Sequence, residues 1–350
     1  MKLLITGAFG FLGQYVLTEA LRLGHQVRAV VRSANSMASL LDRQNSTDNL
    51  VKVFQIDLSD QEQLASAMED IDAVIHLASA KVGSFDIHYR DTVLATESLL
   101  AAMANARVLR LVAISSFSVF DYLGTSPGSL IDEASPIDPA PERRDNYARA
   151  KLLQEAVVRR FEKQFKGKVT IIRPGIIYGP YHLWTSRLGI NLKDKLWVRI
   201  GQNASLPLSY VENCAEAIVQ AAITEKAVSE TLNIVDDDLP TQQDYFDQLT
   251  KLGQSPPFTI KLDWSMMQAT TQILDQANQL IFREQLKLPE VLIPSRLHAR
   301  FKPLRYSNSK AKQLLNWSPR YSLQEALQRS TAYTAAPTLL NPSTIYSDLS

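Results

Sequence analysis

A doubly wound, parallel α/β sheet with a smaller second lobe is the fold class that this 350-residue sequence predicts. Three observations carry that prediction. A short apolar run, Leu3-Leu4-Ile5, leads at once into three glycines, Gly7, Gly10 and Gly13. Short apolar runs then alternate with helical patterns as far as about residue 175, the order that parallel strands with crossover helices produce. The composition, 45% hydrophobic and 21% charged, is that of a globular chain able to bury a large core.

The elements follow in order. The first strand ends at Thr6. Residues 11–23 read as a helix because Leu12, Val16, Ala20 and Leu23 share one face. Strand, glycine turn and helix start together suit the pyrophosphate of a dinucleotide. Gly7 permits the tight turn, Gly10 lets backbone approach the phosphates, and Gly13 lets helix pack on strand. The helix N-terminus offers N–H groups to the anion. Residues 26–31 form the second strand, 33–49 a polar helix plus loop, and 51–56 the third strand. Asp57-Leu58-Ser59-Asp60 then opens a helix that runs to about residue 69. Residues 73–76 are the fourth strand, closed by Leu77-Ala78-Ser79, and 86–106 are a long helix. The fifth strand, 109–114, ends at Ser115-Ser116. Residues 124–142 are a Pro-, Ser- and Asp-rich loop, long enough to be functional. A second long helix covers 146–164, and 169–173 are the sixth strand.

Beyond Pro174 the regularity fades. Residues 181–208 read as loop, 212–223 as helix, 231–235 as strand, 241–252 as helix and 264–286 as a long helix. Residues 289–303 read as irregular, and 308–315 and 323–333 as closing helices. The expected organisation is therefore a nucleotide-binding unit over 1–175 and a substrate lobe over 176–333, some of whose pieces return to the main sheet. A loose tail over 334–350 completes it.

Several function classes are excluded. Net charge is +1, which gives no electrostatic case for nucleic acid or an anionic membrane. The single cysteine, Cys214, excludes an internal disulfide framework and fits a reducing compartment; its place in a helical, apolar stretch assigns it to the core. Five scattered histidines lack metal-ligand spacing, so no metal is expected. No apolar run is long enough to span a bilayer, and the first strand leaves no room for a signal peptide. A soluble, cytoplasmic protein is expected.

The chemistry is signalled by Tyr147-Ala-Arg-Ala-Lys151. Residues four apart share a helix face. An ammonium held near a phenol favours the phenolate, which makes the tyrosine a usable acid/base for interconverting a hydroxyl and a carbonyl. Ser115-Ser116-Phe117-Ser118-Val119-Phe120 ends the fifth strand, and strand C-termini in such sheets face the ligand crevice.

At this point the chain resembles the extended short-chain dehydrogenase/reductases. That family includes sugar-nucleotide epimerases and dehydratases, 3β-hydroxysteroid dehydrogenases and dihydroflavonol reductases. The resemblance covers residues 1–330 and rests on TGAFGFLG, Asp57, HLAS (76–79), SSFSVF, YARAK, RPGIIYGP (173–180) and KAKQLLNWSP (310–319). It implies a Rossmann-like sheet and roles for individual residues. Ser116 would hold the substrate oxygen. Tyr147 would donate or accept the proton. Lys151 would bind the nicotinamide ribose and assist the tyrosine. Thr6, Gly7, Gly10, Phe11, Leu12 and Gly13 would cradle the pyrophosphate. Asp57 and Leu58 would meet the adenine, and Leu77, Ala78 and Ser79 would line the ribose and phosphates. Lys81 resembles the lysine that follows the matching strand in sugar epimerases. Pro174, Ile176 and Ile177 would back the nicotinamide. Homodimers built on the two long helices are also implied, with Leu94, Leu99, Leu152, Val157 and Phe161 as apolar candidates.

Two positions depart from the family pattern. NAD-specific members carry an acidic residue at the end of the second strand, where this chain has Val30-Val31-Arg32-Ser33. An arginine suits a 2′-phosphate, so Arg32 points to NADP(H), with NAD as the alternative. Thr92 stands where asparagine is frequent.

The reaction is narrowed by residue chemistry. Phe117-Ser118 follow Ser116 where a 4,6-dehydratase needs an Asp-Glu pair. Ile176 replaces the asparagine that sugar-nucleotide members use near the sugar pyrophosphate. The leading expectation is an NAD(P)(H)-dependent oxidoreductase that interconverts a secondary alcohol and a ketone on a small-molecule substrate. A sugar-nucleotide 4-epimerase is the alternative within the family, and a non-catalytic NADP-binding regulator the alternative outside it. Arg187, Arg199, Arg296, Arg300 and Arg305 are candidate phosphate ligands. Trp184, Trp197 and Tyr210 are better placed in the core than in a pocket.

Overall fold

The computed structural model describes residues 1–33, 50–192, 196–254, 258–281 and 288–335. The expected helix and loop over 33–49 and the tail over 334–350 lie almost wholly outside these residues. Among them, seven parallel strands form the main sheet in the order β12-β7-β5-β4-β1-β2-β3. These are β1 (Lys2–Thr6), β2 (Gln26–Val31), β3 (Val51–Gln55), β4 (Ala73–His76), β5 (Arg110–Ile114), β7 (Lys168–Pro174) and β12 (Thr231–Ile234). The order reverses direction between β1 and β4, and ligands of open α/β sheets bind at such a switch point, beyond the strand C-termini. There Thr6 stands opposite His76.

Helices cover both faces. On one face α1 (Phe11–Arg22) packs on α6 (Val211–Ile223), and Val16, Leu17, Ala20, Cys214 and Ile218 bury against Leu3, Ile5 and Ile75. On the other lie α2 (Gln61–Ala67), α4 (Ala95–Asn105) and α5 (Asn146–Phe165), which seal Leu4, Val74 and Leu111 under Leu64, Leu99, Val157 and Phe161. Helix starts are fixed by side chains, as expected where the first N–H groups lack partners. Asp60 accepts from Glu62 and Gln63 ahead of α2, and Asp145 accepts from Ala148 ahead of α5. The second start decides where Tyr147 stands.

Three of the five apolar residues expected on a dimer face point inward. Leu99, Val157 and Phe161 are buried against this chain's own sheet, and Leu152 is buried as well. Leu94 alone of the five is exposed, at 41%. The sheet needs the same face of the long helices, and it takes those side chains first.

The long helix expected over 86–106 is broken into three parts. A short α3 (Phe85–His88) passes into a π-helical turn, Tyr89–Leu94, and then into α4. Within the turn the Thr92 hydroxyl accepts from the Ala80 N–H, and the Thr92 carbonyl accepts from the Thr96 hydroxyl. Side-chain bonds of this kind compete with regular helix bonding.

The segment read as loop over 181–208 holds β9 (Ile190–Leu192) and β10 (Leu196–Ile200), and β11 (Leu208–Tyr210) begins at its end. β10 pairs with β9 and with β13 (Thr259–Leu262), while β11 pairs with β8 (Ile176–Tyr178). These strands are too short to show a two-residue period. The region read as irregular over 289–303 holds α9 (Pro294–Phe301), which follows α7 (Gln242–Lys251) and α8 (Trp264–Leu280). β6 (Leu130–Ile131) pairs with β14 (Arg305–Tyr306) and ties the long loop to the C-terminal half. α10 (Ser309–Leu315) and α11 (Leu323–Ala335) end the described chain. No helix of the described residues is long and apolar enough to cross a membrane.

Gly13 tests the packing of α1 on β1. A Cβ there would lie 2.0 Å from the Gly7 carbonyl oxygen, with backbone of Ala8 at 2.9 Å. Gly13→Ala is expected to cost about 2–4 kcal/mol in denaturant unfolding, because backbone must move. Gly24→Asn, in a left-handed turn with open space around it, is expected to cost under about 1 kcal/mol. Equal losses at the two positions would remove the close-approach argument.

Candidate active site

The glycine turn leaves β1 through Thr6. Gly7 has φ +70°, and a Cβ there would come within 2.9 Å of the Ala78 nitrogen, so the exits of β1 and β4 nearly touch. Gly10 caps α1 without a side-chain hydrogen bond, which leaves the first N–H groups of the helix open to an anion. Beyond β4, the Leu77 N–H donates to the Thr6 carbonyl and the Ala78 N–H to the Thr6 hydroxyl. The Ser79 hydroxyl is buried without a partner. An uncapped helix start, a cradle that Cβ atoms would fill and an orphaned hydroxyl fit the diphosphate of a dinucleotide. Phe11 and Leu12 turn the other way, with the Phe11 ring 4.0 Å from His182.

A buried hydrogen-bond chain runs from this turn to Lys151. The Thr6 hydroxyl meets His76 Nδ1 at 2.7 Å, and His76 Nε2 meets the Thr96 hydroxyl at 2.8 Å. Gln154 Nε2 donates to the same hydroxyl at 3.0 Å, and Lys151 Nζ donates to Gln154 Oε1 at 2.9 Å. The proton positions follow from the ends. Thr96 gives its proton to the Thr92 carbonyl at 2.6 Å, so it can only accept from His76 and Gln154. His76 is therefore the neutral Nε2–H tautomer, and its Nδ1 accepts from Thr6. Burial, with the charge of Lys151, pushes the His76 pKa down to about 3.

Lys151 Nζ also donates to the Ile114 carbonyl at 2.8 Å, two residues before Ser116. Two of its three protons are thus spoken for, and one remains for a ligand. Burial first, then Lys81, holds its pKa well below the usual lysine range, against the pull of Glu155. Two ammonium groups lie near the Tyr147 ring, with Lys81 Nζ 5.6 Å and Lys151 Nζ 5.9 Å from its centre. α5 packs on the single turn Phe117–Val119, which the Ser116 hydroxyl caps by accepting from the Ser118 N–H. Beneath them, Ser115 donates to Glu155 at 2.5 Å, and Arg173 grips both Glu155 oxygens at 2.9 and 2.7 Å.

The other end of the crevice is charged. Asp57 accepts from the Ser59 N–H and hydroxyl, which hold its carboxyl below the usual range. Leu58 packs on the core beside it. Arg32 is 70% exposed and meets Asp91 at 3.1 Å, and Arg90 meets the other oxygen of Asp91 at 2.6 Å. Pro174 ends β7, and Ile176 and Ile177 start β8 against the core beneath the glycine helix.

The structure thus gathers Thr6, the glycines, Leu77, Ala78, Ser79, Lys81, Tyr147 and Lys151 around the switch point, with Ser116 at the tip of the neighbouring strand. His76, Thr96, Gln154, Glu155 and Arg90 were not singled out in the sequence. A signal existed for two of them, since Gln154 and Glu155 lie three and four residues past Lys151. Arg199 is fully buried against Gln242 and Gln243, the Trp184 and Trp197 rings meet at a tilt with centres 5.0 Å apart, and Tyr210 is in the core. A separate cavity of about 590 Å³, lined by Asp238, Gln248, Leu323 and Leu327 among others, contains none of the site residues.

The family model for the NAD dependent epimerase/dehydratase family matches residues 3–234. The chain belongs to that family. It is an enzyme of this NAD-dependent family, which binds a nicotinamide dinucleotide. A 3beta-hydroxysteroid-dehydrogenase/decarboxylase isoform 1 from Arabidopsis thaliana is 25% identical over 93% of this chain and 78% of its own length. The 2-alkyl-3-oxoalkanoate reductase of Shewanella oneidensis is 25% identical over 94% of this chain and 85% of its own. A sterol-4-alpha-carboxylate 3-dehydrogenase, decarboxylating, from Mus musculus is 27% identical over 94% and 90%. A UDP-glucuronic acid 4-epimerase from Bacillus cereus in complex with NAD has the same fold. Its TM-score is 0.71 at 22% identity, over 95% of this chain and 98% of that one.

The neutral, buried His76 makes this epimerase/dehydratase fold sensitive to acid. The unfolded chain protonates His76 below its ordinary pKa of 6.5, the folded chain only near 3. The unfolded state therefore binds more protons between those values, and stability falls as pH drops through that window. From pH 7 to pH 5 this residue alone is expected to cost about 2 kcal/mol. Urea unfolding at both pH values should show a smaller loss in His76→Asn than in wild type. An equal loss would mean that other groups carry the effect.

Proposed function

We propose that the chain is an NADP(H)-dependent oxidoreductase that interconverts a secondary alcohol and its ketone. The observation that carries this reading is the placement of Tyr147. Its ring centre lies 5.6 Å from Lys81 Nζ and 5.9 Å from Lys151 Nζ, and Lys151 is bonded to the strand end that leads to Ser116. Two positive charges near the ring stabilise negative charge developing on its oxygen. In this reading Tyr147 transfers the proton and Ser116 orients the substrate oxygen. Lys151 turns its remaining proton to the nicotinamide ribose. Thr6, Gly7, Gly10, Phe11, Leu12 and Gly13 receive the diphosphate, and Leu77, Ala78, Ser79 and Lys81 border it. Asp57 and Leu58 receive the adenine, and Pro174, Ile176 and Ile177 lie behind the nicotinamide. The bound nicotinamide supplies or takes the hydride. Relatives that match over more than nine-tenths of this chain are named as dehydrogenases or a reductase, which supports redox turnover.

NADP(H) is favoured by Arg32 and, in addition, by Arg90. Both guanidinium groups converge on Asp91, where a 2′-phosphate would compete with the carboxylate for them. Arg32→Ala is expected to weaken NADPH binding by about 1–3 kcal/mol and NADH binding much less. Asp91→Asn is expected to tighten NADPH selectively. Calorimetric titration of both cofactors reads this out, and parallel shifts for the two would sink the assignment.

Tyr147→Phe is expected to lower kcat by about 10²–10⁴ while cofactor affinity stays nearly unchanged. Lys151→Ala should damage both turnover and cofactor binding, and Ser116→Ala mainly turnover; such coupled effects need not add. Full activity in Tyr147→Phe would overturn the catalytic assignment. NAD that copurifies and resists exchange would instead favour a 4-epimerase.

A further inference from the structure

Arg187, between β8 and β9, carries a half-buried positive charge with no matching negative one among the described residues. Its guanidinium donates to the Tyr306 hydroxyl at 3.2 Å and to the Tyr122 hydroxyl at 3.3 Å, and it rests 5.4 Å from the centre of the Tyr122 ring. Among the described residues it has no ion pair. Other interior cations are provided for. Arg144 pairs with Asp138, and Arg173 with Glu155. Arg110 binds the carbonyls of Ala221, Ala222 and Thr224, and Lys302 those of Tyr122 and Thr125. Arg187 has only two neutral phenols, and one of these already spends its own proton on the Phe117 carbonyl at 2.9 Å. A guanidinium set among aromatic rings without a counter-charge is costly, and an arriving anion offsets that cost.

The position of this charge is informative. Phe117 directly follows Ser116, so the path from the Phe117 carbonyl through the Tyr122 hydroxyl to Arg187 begins beside the proposed catalytic serine. Phe117, Tyr122 and Tyr306 belong to one aromatic and aliphatic cluster with Phe120, Val235 and Leu304. Phe117 and Tyr306 lie 5.7 Å apart, ring centre to ring centre. The surroundings therefore combine an apolar wall with a planar cation that has three N–H groups still unused among the described residues.

We infer that the substrate is a carboxylic acid and that Arg187 is the anchor for its carboxylate. The inference rests on the reading of Ser116 and Tyr147 as the reacting end of the site. A guanidinium matches a carboxylate in charge and in its paired donors. A nucleotide diphosphate carries more charge and gathers several cations. Here the neighbouring candidates are committed to the chain itself: Arg199 to Gln242 and Gln243, Lys302 to three carbonyls, and Arg305 to the Gly128 carbonyl. An unpaired guanidinium beside aromatic rings, as Arg187 is among the described residues, suits a monoanion with an apolar body.

The test is calorimetric binding to the full chain loaded with NADPH, a state in which hydroxy acids cannot turn over. The probes are 3-hydroxydecanoate, 3-hydroxy-3-phenylpropanoate, the methyl ester of each, and UDP. At least one acid is expected to bind ten-fold or more tightly than its own ester. Arg187→Gln should bring that ratio close to one, and Arg187→Lys should leave it intermediate. Because acid and ester are compared on one preparation, a partly unfolded variant does not alter the ratio. Tyr147→Phe should leave it unchanged, so that loss of the catalytic reading and loss of this one remain distinguishable. Three results overturn the inference: no acid binds better than its ester, the ratio survives in Arg187→Gln, or UDP binds more tightly than both acids.

Discussion

The buried run of hydrogen bonds from Ala78 through Thr6, His76, Thr96 and Gln154 to Lys151 sets the geometry on which the rest of the site depends. It joins four parts of the fold that would otherwise meet only through apolar packing: β1, β4, α4 and α5. Apolar contacts tolerate small slips, whereas a hydrogen bond is lost within a fraction of an ångström. Every donor along the run has one acceptor, and removing a member leaves a buried polar group unmatched at about 1–3 kcal/mol. The helix that carries Tyr147 is thereby fixed against the turn that accepts the diphosphate. The Ser115–Glu155–Arg173 group makes a second brace one residue further along α5, from β5 to β7.

The opposite wall of the crevice is held differently. Arg144 is buried with Asp138 and donates to the Phe120 carbonyl, while Lys302 gathers the carbonyls of the turn after Tyr122. These cations organise a loop that has almost no regular structure of its own. The fixed loop carries Phe117 and Tyr122, and so positions the surroundings of Arg187. One wall is thus ordered by neutral groups in sequence and the other by charges closing on carbonyls.

Much of this was legible in the sequence, and what was missed shares a cause. The glycine turn, the parallel strands and the Tyr147–Lys151 pair depend on local spacing, which a chain displays openly. β9, β10 and β11 are three to five residues long and owe their existence to partners distant in the chain, such as β10 to β13 and β11 to β8. α9 begins with a proline at its first position, which reads as a break until the helix beyond it is seen. His76 and Thr96 were visible as residues, but their union depends on the register of β1 with β4 and on the phase of a helix, and neither is written locally. The resemblance offers Leu99, Val157 and Phe161 as dimer-face candidates, but an amphipathic face does not say which neighbour will cover it, and here the sheet does.

The wide turn at Tyr89–Leu94 places a constraint on how this enzyme can change over time. In a regular helix each residue advances the facing direction by about 100°. The wide turn absorbs one extra residue locally, so Thr96 faces as it would in a regular helix one residue shorter. Losing a residue from 89–94, with the turn closing to regular helix bonding, would therefore leave α4 and the contacts of Thr96 to His76 and Gln154 in place. A residue gained or lost within α4 itself has no such outlet and would turn the side chains beyond it by about 100°. Length can change at the wide turn, whereas α4 can change only by substitution.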